Sequence, residues 1–214
     1  MFSNTSIANA LRAEFRRFED RQHEGKPARV MVATRTYDTD VNDLWDALTD
    51  RERIPRWFLP IEGELKLGGR YQLKGNAGGT ITRCDPPEAL DVTWECGGSL
   101  GWVNVRLVPD GKRTALTLEH IVPVSDVDEH WTQFGPGAVG VGWDLALLGM
   151  DRYLEGGGRA VDRDAAAAWV GSDDGKAFIR ASAEAWRAAH VAGGEDETIA
   201  HGMAERTAAA YTGG

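Results

Sequence analysis

Among the titratable side chains of this chain, His120 stands in the setting best suited to chemistry. It closes the run Leu116-Thr117-Leu118-Glu119-His120, whose alternation puts the imidazole on one face with Leu116 and Leu118. An imidazole on a dry face can orient a ligand's carbonyl or hydroxyl group, or act as an acid or base. The same position suits a core histidine bonded to a backbone carbonyl or to Tyr71. Beside His120 and His130 no third ligand lies in sequence reach, so no metal is expected. Cys84 and Cys96, twelve positions apart, form no CxxC or Cys/His pattern and are expected to be reduced thiols that come close on neighbouring strands. The carboxylates Asp144 and Glu119 have no partner at a readable spacing. There is no GxSxG. The glycine clusters at 75–79 and 97–101 fall in predicted hairpins and lead into no helix, so they are not phosphate loops. The spacing Gly137-x-x-Gly140-x-Gly142 begins a predicted helix, where close packing against the sheet or the preceding loop is its expected role. No catalytic set is readable, and no cofactor is expected.

The elements that must position His120 follow from periodicity. Residues Asn4 to Asp20 read as an amphipathic helix with Ile7, Leu11, Phe15 and Phe18 on one stripe. Arg29 to Tyr37 alternates as a strand. Thr39 or Asp40 caps a helix from Val41 to Leu48, and a second short helix runs from Arg51 to Trp57. Its Arg51, Arg53 and Arg56 read as a solvated face. Six strands with turn signals between them come next: Glu62–Lys66, Arg70–Lys74, Thr80–Cys84, Ala89–Cys96, Trp102–Val108 and Thr114–Val122. Tyr71 and Leu73, then Leu90, Val92 and Trp94, then Leu116, Leu118 and His120 give each of their strands one dry face. Parity does not decide between Trp102, Asn104 and Arg106 on one side and Val103, Val105 and Leu107 on the other. A sheet buried on one face needs a cover, and the helix from Gly137 to Leu154 supplies an apolar stripe for it. Helices follow over Arg163–Val170, Asp173–Ala192 with Ser172 as cap, and Asp196–Tyr211. Their expected buried contacts are Trp169, Phe178, Trp186, Ile199, Met203 and Tyr211.

A sheet wrapped round a helix tapers, and the taper must be filled by side chains or by a ligand. The eight tryptophans of the chain are large enough to do either. The candidate lining is Trp57 from the helix pair, with Tyr71, Leu73, Ile81, Trp94, Trp102, Leu118 and His120 from the strands. Trp143, Leu147 and Met150 from the long helix complete it. Composition narrows the partners: 214 residues with a net charge of -9 repel phosphate backbones, which disfavours nucleic acid. No apolar stretch reaches the ~20 residues of a membrane span. The first twenty residues lack a signal-peptide core, so a cytoplasmic protein is expected.

Several short motifs, in this order and spacing, carry a family resemblance. They are Val41-x-x-Leu44-Trp45-x-Ala47-Leu48-Thr49-Asp50, Arg56-Trp57-Phe58-x-Pro60, Leu67-Gly68-Gly69-Arg70-Tyr71, Pro86-Pro87-x-Ala89-Leu90, Thr93-Trp94, Leu116-Thr117-Leu118-Glu119-His120 and Gly142-Trp143. With them, the stretch from Val30 to Leu154 resembles the bacterial branch of the SRPBCC (START-like) superfamily. Within it, the stretch is similar to the domain named after the activator of heat-shock protein 90 ATPase. The resemblance implies an α+β helix-grip fold: a curved antiparallel sheet of six to seven strands around a long C-terminal helix, here with extra N-terminal and C-terminal helices. The expected organisation is a helical extension over 1–28, the helix-grip domain over 29–158 and a second helical extension over 159–214. It also implies an internal cavity for a small apolar or amphipathic molecule. Two alternatives accompany that expectation: a co-chaperone or protein-interaction module, and a polyketide cyclase-like enzyme. The family's eukaryotic co-chaperones carry a separate chaperone-binding domain, for which the segment before Arg29 offers neither room nor motif. The C-terminal helices are expected to close one mouth of the cavity or to form a homodimer face.

Overall fold

Strands that alternate dry and wet residues pair into a sheet buried mainly on one side, and that sheet is the frame of this molecule. The computed structural model describes residues 14–124 and 129–213. Among them, eight strands form one curved antiparallel sheet: β1 (Glu14–His23), β2 (Lys26–Tyr37), β3 (Ile61–Gly63), β4 (Arg70–Leu73), β5 (Gly78–Asp85), β6 (Ala89–Cys96), β7 (Ser99–Asp110) and β8 (Arg113–Pro123). Their spatial order is β1-β2-β8-β7-β6-β5-β4-β3. Two helices, α1 (Val41–Thr49) and α2 (Ile54–Trp57), link β2 to the β3–β8 meander. After β8 come α3 (Glu129–Phe134), α4 (Gly137–Glu155), α5 (Arg163–Gly171), α6 (Asp173–Ala192) and α7 (Glu197–Thr212). Asp40 caps α1 by accepting from the amides of Asn42 and Asp43, and Ser172 caps α6 by accepting from Gly175.

The N-terminal segment differs from its expectation. Glu14 to His23 is a strand paired with β2 along its whole length, with Phe18 opposite Met31, and not a helix. On a strand, residues three apart point to opposite faces. Phe18 is buried at 6% exposure while Phe15 is 63% exposed, so the helical stripe does not exist here. The open edge of β2 offers backbone partners that a lone helix lacks, and this pairing overrides the local period. Ile7 and Leu11 lie outside the described residues. With β1 added, the sheet has eight strands where six to seven were expected.

The long helix α4 lies against the inner face of the sheet. Leu147 and Met150 share a core with Met31, Ala33 and Tyr37 of β2, Val103, Val105 and Leu107 of β7, and Leu116 and Leu118 of β8. Two carboxylates fix how α4 sits. Asp144, fully buried, takes Nε and Nη2 of Arg16 on β1, both at 2.9 Å. Asp151, two turns further on and on the same side of the helix, lies 2.8 Å from Nη2 of Arg35 on β2. The sequence offered no partner for Asp144 or Glu119. The fold supplies both, because Glu119 pairs with Arg21 across strands that are distant in sequence.

Helix α6 packs against both α4 and β1, with α5 and α7 beside it. The glycines of Gly137-x-x-Gly140-x-Gly142 face these helices and not the sheet, a correction to the expected packing. A Cβ on Gly140 would fall 2.3 Å from the Trp186 ring, and one on Gly137 or Gly142 would press on Thr207 or Tyr211. Trp186, Phe178 and Met203 are buried as expected, whereas Ile199 is 51% exposed on the outer side of α7. Cys84 and Cys96 are both free. They stand at opposite ends of the β5–β6 hairpin, opposite Leu90 and Ser99 respectively, so they do not come close.

Candidate functional site

Between the inner face of the sheet, α2 and α4 lies a cavity of about 140 Å³. Its walls are almost wholly apolar. Nine of the eleven residues singled out from the sequence line it: Trp57, Tyr71, Leu73, Ile81, Trp94, Leu118, Trp143, Leu147 and Met150. A second cavity of about 410 Å³ opens beside it. Its walls bring His120 together with Asn76, Cys96, Ser99 and His130, and with apolar residues from β7, α3 and α4. Phe58, Trp94 and Trp143 line both spaces. Their rings form the partition, with centroids 5.1 Å apart for Trp94 and Trp143 and 6.2 Å for Phe58 and Trp143.

Trp102 is the one candidate that the fold places elsewhere. Register settles the parity of β7: Val103 pairs with inward-facing His120, and Trp102 pairs with Ile121. Val103, Val105 and Leu107 therefore point into the core. Trp102 lies on the opposite face, against the His23 ring at 4.4 Å and the cluster of Val30, Val32 and Ile121. Sequence reasoning omitted Phe58, Leu90, Val92, Val103 and Val105, all of which line the first cavity. Leu90 and Val92 share the dry parity of Trp94, so the signal for them was present. For Phe58 there was none beyond its place beside Trp57.

His120 sits at the partition. Its Nδ1 accepts the indole N–H of Trp143 at 2.9 Å. That partner is neither the backbone carbonyl nor the Tyr71 hydroxyl that the sequence suggested. Tyr71 instead donates to the carbonyl of Thr93 at 2.8 Å, and burial pushes its phenol pKa up. Burial drives the imidazole pKa of His120 down to about 4, because the surrounding chain withdraws most of the ring from solvent and so penalises its charged form. The ring is thus neutral at physiological pH. The C-terminal segment reaches this site through Tyr211 of α7, which lines the second cavity and donates to the Ala138 carbonyl at 2.9 Å. Among the described residues no three His, Cys, Asp or Glu side chains gather as a metal-binding group, and no helix is long and apolar enough to cross a membrane.

A curved antiparallel sheet clasping one long helix is the helix-grip architecture of SRPBCC proteins. The chain belongs to the family described as activator of Hsp90 ATPase homolog 1-like protein, whose model matches residues 38–155. It is similar to CalU16 from Micromonospora echinospora. The crystal structure of that protein shares 31% identity and a TM-score of 0.66 over 83% of this chain and 98% of the other. Its solution structure gives 33% and 0.70 over 85% and 97%. PFC0360w, an HSP90 activator from Plasmodium falciparum, shares the fold at 22% identity and a TM-score of 0.50, over 59% of this chain and 96% of that one. DynU16, from the dynemicin biosynthetic locus, does so at 20% and 0.51, over 61% and 49%. A search of curated proteins finds no match.

Proposed function

We propose that the protein binds a small apolar or amphipathic molecule, with the second cavity as entry and the first as the apolar end of the site. The observation that supports this most is the pairing of the two spaces. The space of about 410 Å³ falls within the ~300–1,000 Å³ of ordinary ligand pockets. The inner one, about 140 Å³, is comparable to dry cavities that admit a single benzene-sized ring. Among the described residues, the side chains shared by the two walls are three aromatic ones. Rings can change rotamer where a backbone wall cannot, so a ligand longer than one ring can use both. The lining offers apolar surface with a few polar groups, the usual make-up of a site that holds and orients a molecule.

The experiment is direct. Purified protein is examined by native mass spectrometry for retained small molecules, and its tryptophan emission is followed during titration with naphthalene-sized hydrophobes. Retained mass, or saturable quenching that is lost when Leu118→Trp fills the inner space, supports the reading. No retained mass and no saturable quenching reject it.

The family match favours a second reading, a chaperone partner. ATP turnover by a heat-shock protein 90 chaperone, measured with and without this chain, separates the two. A saturable rise in turnover with no ligand bound would favour the interaction module.

A further inference from the structure

The contact between His120 and Trp143 fixes more than the position of a ring. An indole N–H can only donate. At 2.9 Å from Nδ1 of His120, it requires a lone pair on that nitrogen. A neutral imidazole carries one N–H, which must then be on Nε2. A second proton on Nδ1 would set two donors against each other. Nε2 has no hydrogen-bond partner among the described residues. It lies on the side of Gly101 on β7, where an added Cβ would stand 3.7 Å from it. Gly101 and His120 both line the second cavity, and a glycine there leaves the space next to Nε2 open. Among the described residues the rest of that wall contains no Asp, Glu, Lys or Arg, so a charged ligand group would lose its hydration without an ionic partner from them.

We propose that the second cavity selects ligands bearing a neutral hydrogen-bond acceptor, a ketone, quinone or lactone carbonyl, and that the Nε2–H of His120 donates to it. This deepens the small-molecule reading above and rests on it. Trp143 is the positioning residue: it holds the imidazole in the donor tautomer toward the cavity. A ligand whose polar end is a donor only, such as an ammonium, meets a donor at Nε2 and gains no hydrogen bond from it. A matched hydrocarbon fits the space but leaves Nε2–H without an acceptor, so the acceptor is worth about three- to tenfold in affinity, the range of one neutral hydrogen bond.

The test uses the full chain and two probes of nearly equal shape, 2-acetylnaphthalene and 2-isopropylnaphthalene, each titrated against tryptophan emission. The ratio of ketone to hydrocarbon affinity is expected to be about three- to tenfold higher in the native protein than in His120→Leu, and His120→Gln, which keeps an N–H donor, should restore part of it. Because a His120 variant can fail to fold, the carbonyl stretch of the bound ketone is also read in the native protein by isotope-edited infrared spectroscopy. It should fall below its value in a dry hydrocarbon solvent. Two outcomes overturn the proposal. If both probes bind, the ratio is unchanged by His120→Leu and the stretch is unshifted, the acceptor site is absent while the cavity still binds. If neither probe binds, the ligand-binding reading fails and takes this inference with it.

Discussion

His120 is a base held neutral by its surroundings, and that has a thermodynamic signature. In an unfolded chain its imidazole takes a proton near 6.5, and in the fold only near 4. Between those values the unfolded state carries more protons than the folded state, so stability falls as pH drops through this window. The loss approaches about 3 kcal/mol once pH is below both values, at 1.36 kcal/mol per pH unit. His190 is also pushed down, chiefly by burial, and acts in the same direction. His120→Gln keeps an acceptor for the Trp143 indole and removes the titration. Urea unfolding at pH 7 and pH 4.5 should therefore show a pH-dependent loss smaller by about 2–3 kcal/mol in the variant than in the native protein. Parallel losses in the two proteins would mean that the ring is not a buried neutral base. The facing of His120 was legible in the sequence, because strand parity with Leu116 and Leu118 is a local property. Its partner was not. A bond between a helix residue and a strand residue 23 positions away leaves no periodic trace. Trp102 shows the same limit, since both faces of β7 carry plausible lining residues and only the pairing register decides between them.

At the scale of elements, the arrangement of α4 depends on contacts made on both of its sides. Asp144 accepts from Arg16 of β1 and from Ser182 and Trp186 of α6, so one carboxylate ties an edge strand, the central helix and a C-terminal helix together. Removing one member of such a buried, hydrogen-bonded set costs about 3–5 kcal/mol. Asp144→Ala should therefore lower the urea midpoint strongly, whereas Glu184→Ala, at an exposed pair with Arg187, should shift it by no more than about 1 kcal/mol. Gly140 tests the close approach of α4 and α6. Alanine is favoured over glycine in a helix by about 1 kcal/mol, so Gly140→Ala would stabilise an unobstructed helix. Here the new Cβ would fall 2.3 Å from the Trp186 ring. Overpacking outweighs propensity, and a net loss of about 1–2 kcal/mol is expected by thermal unfolding. A gain in stability would show that the two helices can separate. The strands β2 and β4 to β8 and the helices α4 to α7 were legible because each repeats its period over several residues, whereas β3 is only Ile61–Gly63 and the strand expected over Glu62–Lys66 overlaps it by two residues. β1 was not, because its neighbour β2 selects its conformation and no local pattern does.

Whether the segment beyond the long helix is an appendage or a structural part of the whole decides how the site is held. Trp186 and Ala189 of α6 belong to the same buried cluster as Phe18, Met31 and Leu147. Ile179 and Ala183 pack with Val141 of α4. Tyr211 of α7 reaches the wall of the second cavity. Deleting 162–214 would strip these contacts, uncover one side of α4 and take Ser182 and Trp186 away from Asp144. Burial of a single large side chain such as Trp186 or Phe178 is worth about 1.5–3 kcal/mol, and a small domain has only about 5–15 kcal/mol in all. Loss of several at once should leave the truncated chain without fixed packing. The expected product keeps much of its far-UV circular dichroism, loses its near-UV tryptophan signal, binds 1-anilinonaphthalene-8-sulfonate over an exposed surface and unfolds without a sharp transition. A truncated chain with native near-UV dichroism and one cooperative transition would show that residues 1–161 fold without the rest. The C-terminal helices would then be a detachable cover and not part of the core that shapes the cavities.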